Sequence, residues 1–180
     1  YFDEGSSEMY LRFILRSKEC VSRIRKLLPS LQTDFPELKC VTANIQPVPH
    51  AILEGPEEIY ITSEKFIKHT IGDLTLKLSP RAFVQTNSHV ATELYQTASN
   101  WMREFKPKRM LELYSGQGAF SFVAATQLPD VLEKVLGIEI NSDAVQTANA
   151  SVEEVHQQKK AKVAPLSFEC ADATQVGTVA

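Results

Sequence analysis

Gly116 and Gly118 stand two apart in MLELYSGQGAFSFVA (Met110 to Ala124), between an apolar stretch that runs into Glu112 and a second apolar run. A strand, a glycine turn and a helix in that order can hold a nucleotide-type cofactor. The glycines let the backbone approach the ligand, and the helix N-terminus presents unpaired N–H groups. Two carboxylates follow at the spacing of later strand ends. Glu139 ends KVLGIEI and lies 21 residues beyond Gly118, near the roughly 20 expected of an acid that hydrogen-bonds ribose hydroxyls. Asp172 ends LSFECAD, where a carboxylate can accept from an adenine amino group; helix capping accounts for it equally well. Acids at the second and third strand ends read as an S-adenosylmethionine site. The dinucleotide fingerprint wants a third glycine where Ser121 stands, which disfavours NAD and FAD but leaves them open.

Those residues need a parallel sheet to position them. From Arg109 onward the pattern is βαβαβ: strands at Met110 to Leu113, Val135 to Ile140 and about Pro165 to Cys170, with helices from Ala119 to Gln127 and from Asn141 or Ser142. Alternation at these lengths gives a doubly wound α/β sheet whose ligands sit outside the carboxyl ends of the strands. Upstream, a helix from His89 to Phe105 with Ser88 as N-cap carries Val90, Leu94, Tyr95, Ala98, Trp101, Met102 and Phe105 on one face, which makes Trp101 a core anchor. The first 80 residues read as a small α+β unit with a mainly antiparallel sheet: strands at Met9 to Arg16, Val41 to Gln46, Glu58 to Thr62 and Leu74 to Leu78. A helix from about Val21 is punctuated at its end by Pro29 and Pro36, and Pro47, Pro49, Gly55 and Pro56 mark turns. The expected division is therefore 1–80 and 81–180.

Composition narrows the function classes. Hydrophobic residues at 43% and charged residues at 23% fit a globular protein, and no stretch approaches a membrane span. A net charge of −3 supplies no global field for nucleic acid, and DNA is not an expected partner. Local basic groups occur at Arg23, Arg25 and Lys26, at Arg103, Lys106, Lys108 and Arg109, and at Lys159, Lys160 and Lys162. Each reads first as a solvated helix face or end. Cys20, Cys40 and Cys170 have no metal-ligand spacing and read as reduced thiols of a cytoplasmic protein, with Cys170 a small buried hydrophobe in the third strand. The first residue is Tyr1, and the chain is expected to be an excised piece.

LSPRAFVQTNSHVATELYQTA (Leu78 to Ala98), taken with LELYSGQGAFS and GIEIN, resembles the bacterial RNA uracil-5-methyltransferases that use S-adenosylmethionine. MYLRFILRS and VTANIQPVPHAILEGPEEIYIT resemble more narrowly the 23S ribosomal RNA branch. The resemblance covers essentially the whole chain. It implies a Rossmann-like methyltransferase domain, represented by its first half, after a small α+β subdomain that helps hold 23S ribosomal RNA. It gives Gln85, in the element Phe83, Gln85, Asn87, a cofactor contact; by itself Gln85 reads as a turn residue satisfying backbone groups. It lays Tyr114 along the cofactor, makes Gly116 and Gly118 the loop glycines, and gives Glu139 the ribose and Asp172 the adenine end. Ser115 replaces a cysteine found in several relatives, and Ala119 an asparagine found in some.

The family reaction adds a cysteine thiolate to carbon 6 of uracil, so that carbon 5 attacks the sulfonium methyl group. A carboxylate base then removes the carbon 5 proton. The resemblance places both residues beyond these 180, so no catalytic residue is assigned and the chain alone is expected to be inactive. It admits an iron–sulfur cluster in a parent protein, with none of its ligands here. It also implies that strand one pairs on its other side with a fourth strand further along, leaving that edge open. The rival readings are a non-catalytic RNA-binding module and, less favoured, a nicotinamide-dependent oxidoreductase.

Overall fold

A computed structural model describes residues 1–48, 54–158 and 162–178. Pro49, Lys159 and Lys160 of the expectations above lie outside them. The chain divides into two compact units, Tyr1–His69 and Thr70–Ala180.

The first unit builds a four-stranded sheet in the order β1 (Phe2–Asp3), β2 (Glu8–Leu15), β3 (Leu38–Ile45), β4 (Glu57–Tyr60). Its long central pairing, β2 with β3, is parallel, whereas β1 and β4 add antiparallel. The mainly antiparallel expectation fails at the centre because α1 (Val21–Asp34) connects β2 to β3 as a crossover. Pro29 lies inside α1 rather than at its end. Its side is exposed, and the Thr33 hydroxyl donates to the Pro29 carbonyl at 2.9 Å. Ile24 of α1 buries against Leu38, Val41, Ala43 and Ile61, and the alternate residues Met9, Leu11 and Phe13 of β2 pack on the same cluster. The opposite face carries a cluster of polar pairs. Arg12 meets Glu58 at 2.6 Å and Glu54 at 2.7 Å, while Asn44, fully buried, holds Gly55 through both amide atoms.

The division falls within β5 (Ile67–Ile71), which forms a two-stranded sheet with β6 (Leu74–Leu78). It lies ahead of the 80/81 boundary read from sequence because Ile71, Leu74 and Leu76 bury in the core of the second unit. There α2 (Ser88–Phe105) leads into β7 (Arg109–Leu113), α3 (Ala119–Gln127), β8 (Lys134–Glu139), α4 (Ser142–Gln158) and β9 (Leu166–Cys170). The sheet order is β7-β8-β9, all parallel. Phe122, Ala125, Leu128, Val135, Ala148, Val155 and Phe168 form its core.

Three expectations for this unit are corrected. The N-cap of α2 is Asn87, whose side chain accepts from the Val90 N–H at 3.0 Å, and Ser88 is already helical. Trp101 is 62% exposed, and Val90, Leu94 and Phe105 are exposed too; Tyr95 and Met102 of the expected face do pack on the core, joined by the buried Ala91 and Ser99. The apolar arc of α2 is wider than the surface available to it, and only the part facing α3 is covered. Cys170 is exposed, not buried, with its thiol 3.5 Å from the Ile140 carbonyl, because β9 ends where the helices no longer cover the sheet. Among the described residues the outer edge of β7 has no partner strand. Leu111 and Leu113 are 50% and 42% exposed beside it.

Candidate cofactor site at the carboxyl ends of the parallel strands

The loop after β7 turns by left-handed backbone at three positions: Tyr114 (φ 57°), Gly116 (φ 56°) and Gly118 (φ 82°). The two glycines serve different ends. A Cβ on Gly118 would sit 2.2 Å from the Phe168 ring, so this glycine lets the start of α3 close on β9. A Cβ on Gly116 would meet nothing within 4 Å, so its face is open ground where a ligand can lie. Gly137 in β8 adds to the close packing: a Cβ there would crowd the Phe168 ring at 2.4 Å and Ser115 Oγ at 2.9 Å.

Glu139 ties the loop to the next strand. Its Oε2 accepts from the Gly116 N–H at 2.9 Å and its Oε1 from the Asn141 N–H at 2.9 Å. Asn141 Oδ1 then accepts from the N–H groups of Asp143 (3.0 Å) and Ala144 (3.2 Å), capping α4. A carboxylate offers about four acceptor sites, so two remain for hydroxyl donors. Asp172 lies two residues past Cys170, the register partner of Glu139. Its Oδ1 accepts from the Thr174 N–H (2.9 Å) and hydroxyl (2.7 Å), which holds the carboxyl below its ordinary range and starts the short 3₁₀ turn Ala173–Thr178.

Gln85 is exposed in the segment between β6 and α2, and Tyr114 is 72% exposed. Among the described residues, no hydrogen bond joins Gln85 to the strand ends. The segment is tied there by Arg81, whose Nη1 meets Asp143 Oδ2 at 3.1 Å, in the first turn of α4 and four residues beyond Glu139. Gly116 and Glu139 are thus in direct contact, Gly118 and Tyr114 belong to the same loop, and Asp172 follows the neighbouring strand, whereas among the described residues no contact brings Gln85 to them.

Sequence reasoning passed over two further features. Glu112, inside β7, accepts from the Ser121 N–H at 3.0 Å and hydroxyl at 2.5 Å. Burial pushes its carboxyl up to about 7 against the pull of those two bonds. The residue missing from the glycine fingerprint, Ser121, is therefore the partner of this acid. The strand-end acid three positions before the loop serine, in MLELYS, was the available signal. Second, Ser115 Oγ and both amide atoms of Gln117 are buried without a hydrogen-bond partner in the cofactor loop. Buried polar groups are ordinarily paired, so this loop keeps donors and acceptors in reserve. An open glycine face, a carboxylate with spare acceptor sites and orphaned polar atoms fit an adenosyl amino acid. Among the described residues, no group of His, Cys, Asp or Glu could hold a metal ion, and no helix is long and apolar enough to cross a membrane.

A family profile described as tRNA (Uracil-5-)-methyltransferase matches residues 60–175. The 23S rRNA (uracil(747)-C(5))-methyltransferase RlmC of Escherichia coli O139:H28 is 41% identical over 175 residues, 97% of this chain and 44% of that protein. RlmC of Vibrio vulnificus is 39% identical over 152 residues, 84% of this chain and 39% of that one. The fold matches the crystal structure of Pyrococcus abyssi tRNA (uracil-54, C5)-methyltransferase in complex with S-adenosyl-L-homocysteine, with a TM-score of 0.68 at 21% identity, over 95% of this chain and 38% of that one. The chain belongs to the RNA uracil-5-methyltransferase family. It spans less than half the length of the curated relatives it matches.

Proposed function

We propose that the protein carrying this chain transfers a methyl group from S-adenosylmethionine to carbon 5 of a uridine in 23S ribosomal RNA, in the cytoplasm. The observation that carries the cofactor half of this reading is the bond from the Gly116 N–H to Glu139, which joins the glycine loop to a ribose-type acid at adjacent strand ends. The identity to RlmC over nearly the whole chain supports the RNA half.

In this reading Gly116, Gly118, Tyr114 and Gln85 take the amino-acid side of the cofactor. Glu139 accepts from ribose hydroxyls, and Asp172 accepts from the adenine amino group. The bound cofactor supplies an electrophilic methyl on a sulfonium. The chain's own part is to bind and orient it. The target carbon is inside the stack of a helix, so the uridine is presented from a loop or flipped out. In the same reading the first unit, Tyr1–His69, is the RNA-holding subdomain and the second, Thr70–Ala180, is the first half of the cofactor domain. Deleting the gene that encodes this chain should remove one 5-methyluridine from 23S rRNA, mapped by mass spectrometry of nuclease fragments. An unchanged set of 5-methyluridines would contradict the proposal.

A further inference from the structure

We propose that the amino ends of β7, β8 and β9 form a second face for RNA phosphates, at the opposite end of the sheet from the cofactor site. The inference rests on the RNA-methyltransferase reading for its partner and on the charge geometry for its place. Arg109 and Lys134 begin β7 and β8 and are register partners. The Lys108 carbonyl accepts from the N–H groups of Glu133 at 2.7 Å and Lys134 at 3.3 Å, so the three basic residues lie side by side. Lys106 and Lys108, just before β7, and Lys162, between α4 and β9, line one depression of about 530 Å³. All five side chains are exposed.

The acids at this end do not cancel them. Glu133 takes Lys108 at 2.7 Å and Asp130 takes Lys162 at 3.2 Å. Among the described residues, Lys106, Arg109 and Lys134 make no ion pair within 4.0 Å, although Arg109, after Lys108, helps hold the Glu133 carboxyl below its ordinary range. The chain as a whole carries −3, so this cationic end reverses the sign of its surroundings. Helix dipoles explain only part of it. Lys106 caps the C-terminus of α2 in a left-handed conformation, where a cation is favourable. Arg109 and Lys134 start strands, and sheets have only small net dipoles. A five-residue strand spans roughly 17 Å, so one RNA can reach the strand-end site and this face together.

The test is fluorescence anisotropy of a labelled 30-nucleotide single-stranded RNA with the 180-residue chain, from 50 to 200 mM salt. The variant is Lys106→Asn, Arg109→Gln, Lys134→Gln; asparagine suits the left-handed cap. The control keeps the charge at the same positions: Lys106→Arg, Arg109→Lys, Lys134→Arg. The variant should lose about tenfold in affinity at 50 mM salt, with the slope of log K against log salt shallower by about 2, while the control loses clearly less. Calorimetry with S-adenosylhomocysteine should give the same affinity for variant and wild type. Equal losses in variant and control, an unchanged variant, or no RNA binding by wild type would each overturn the inference. Absence of S-adenosylhomocysteine binding by wild type would instead count against the cofactor reading alone.

Discussion

The Gly116 N–H donates to Glu139 Oε2 at 2.9 Å, so one carboxylate clamps the glycine loop to the end of the neighbouring strand. The same group takes Asn141 on its other oxygen and thereby fixes the entry to α4. A ribose bound here would find its acceptor already held by backbone donors, with little ordering left to be done on binding.

Replacing Glu139 therefore acts on ligand and loop together. Glu139→Ala should weaken S-adenosylhomocysteine binding about 10- to 100-fold, the range for losing hydrogen bonds to a charged acceptor. Calorimetry measures it, and far-UV circular dichroism should show the fold retained. Unaltered affinity would remove Glu139 from the site.

The two loop glycines should separate stability from binding. Gly118→Ala drives a methyl group into the Phe168 ring and should cost about 2–4 kcal/mol in urea unfolding. Gly116→Ala meets only open space and pays only for left-handed backbone, about 1–2 kcal/mol. Its larger effect should be on cofactor affinity. Equal destabilisation by the two would contradict the packing described.

Glu112 gives a pH signature. Its folded carboxyl titrates near 7, above the ordinary glutamate value of 4.5. With the folded value raised, the unfolded chain loses its proton first as pH rises. The stability this group contributes is full below about 4.5 and is lost progressively between there and about 7, by about 3 kcal/mol at most. Glu112→Gln should flatten that part of the stability profile and raise stability at pH 8. An unchanged pH dependence would show that Glu112 ionises normally.

The open edge of β7 and the uncovered arc of α2 predict self-association. Leu111 of β7 is 50% exposed, Trp101 and Phe105 of α2 are 62% and 82% exposed, and among the described residues the outer edge of β7 has no partner strand. Leu111→Lys with Phe105→Lys should shift the chain toward monomer in sedimentation velocity, with stability altered by no more than about 0.5 kcal/mol. Self-association unaffected by both lysines would place the contact elsewhere.

The cysteines set a limit on the chain's own chemistry. Cys40 is buried, and burial pushes its thiol up to about 12; both Cys20 and Cys40 belong to the first unit. Cys170 is the cysteine of the second unit and ends β9. The 180-residue chain should bind cofactor without transferring tritiated methyl groups to rRNA transcripts. Transfer abolished by Cys170→Ser would instead make that thiol a nucleophile.

Local patterns with one period were legible in the sequence. The helix over Ala119–Gln127, the three parallel strands and the glycine loop could be read because apolar runs of the right length meet turn residues there. Features set by what packs against an element were not. The apolar positions of α2 give no sign of which arc is covered, so Trp101 was misplaced. Cys170 carries no mark of the point at which the helices stop shielding β9. The Arg81–Asp143 pair and the Glu112–Ser121 bond join residues on separate elements, which spacing alone does not reveal. The convergence of Lys106, Lys108 and Lys162 depends on the same chain folding.

The central claim is that the strand ends cradle an adenosyl amino acid rather than a dinucleotide. Isothermal titration of the chain with S-adenosylhomocysteine and, separately, with NAD tests it most directly. The account predicts saturable heat with S-adenosylhomocysteine, lost in Glu139→Ala, and none with NAD. Tighter binding of NAD, or S-adenosylhomocysteine binding indifferent to Glu139, would contradict it.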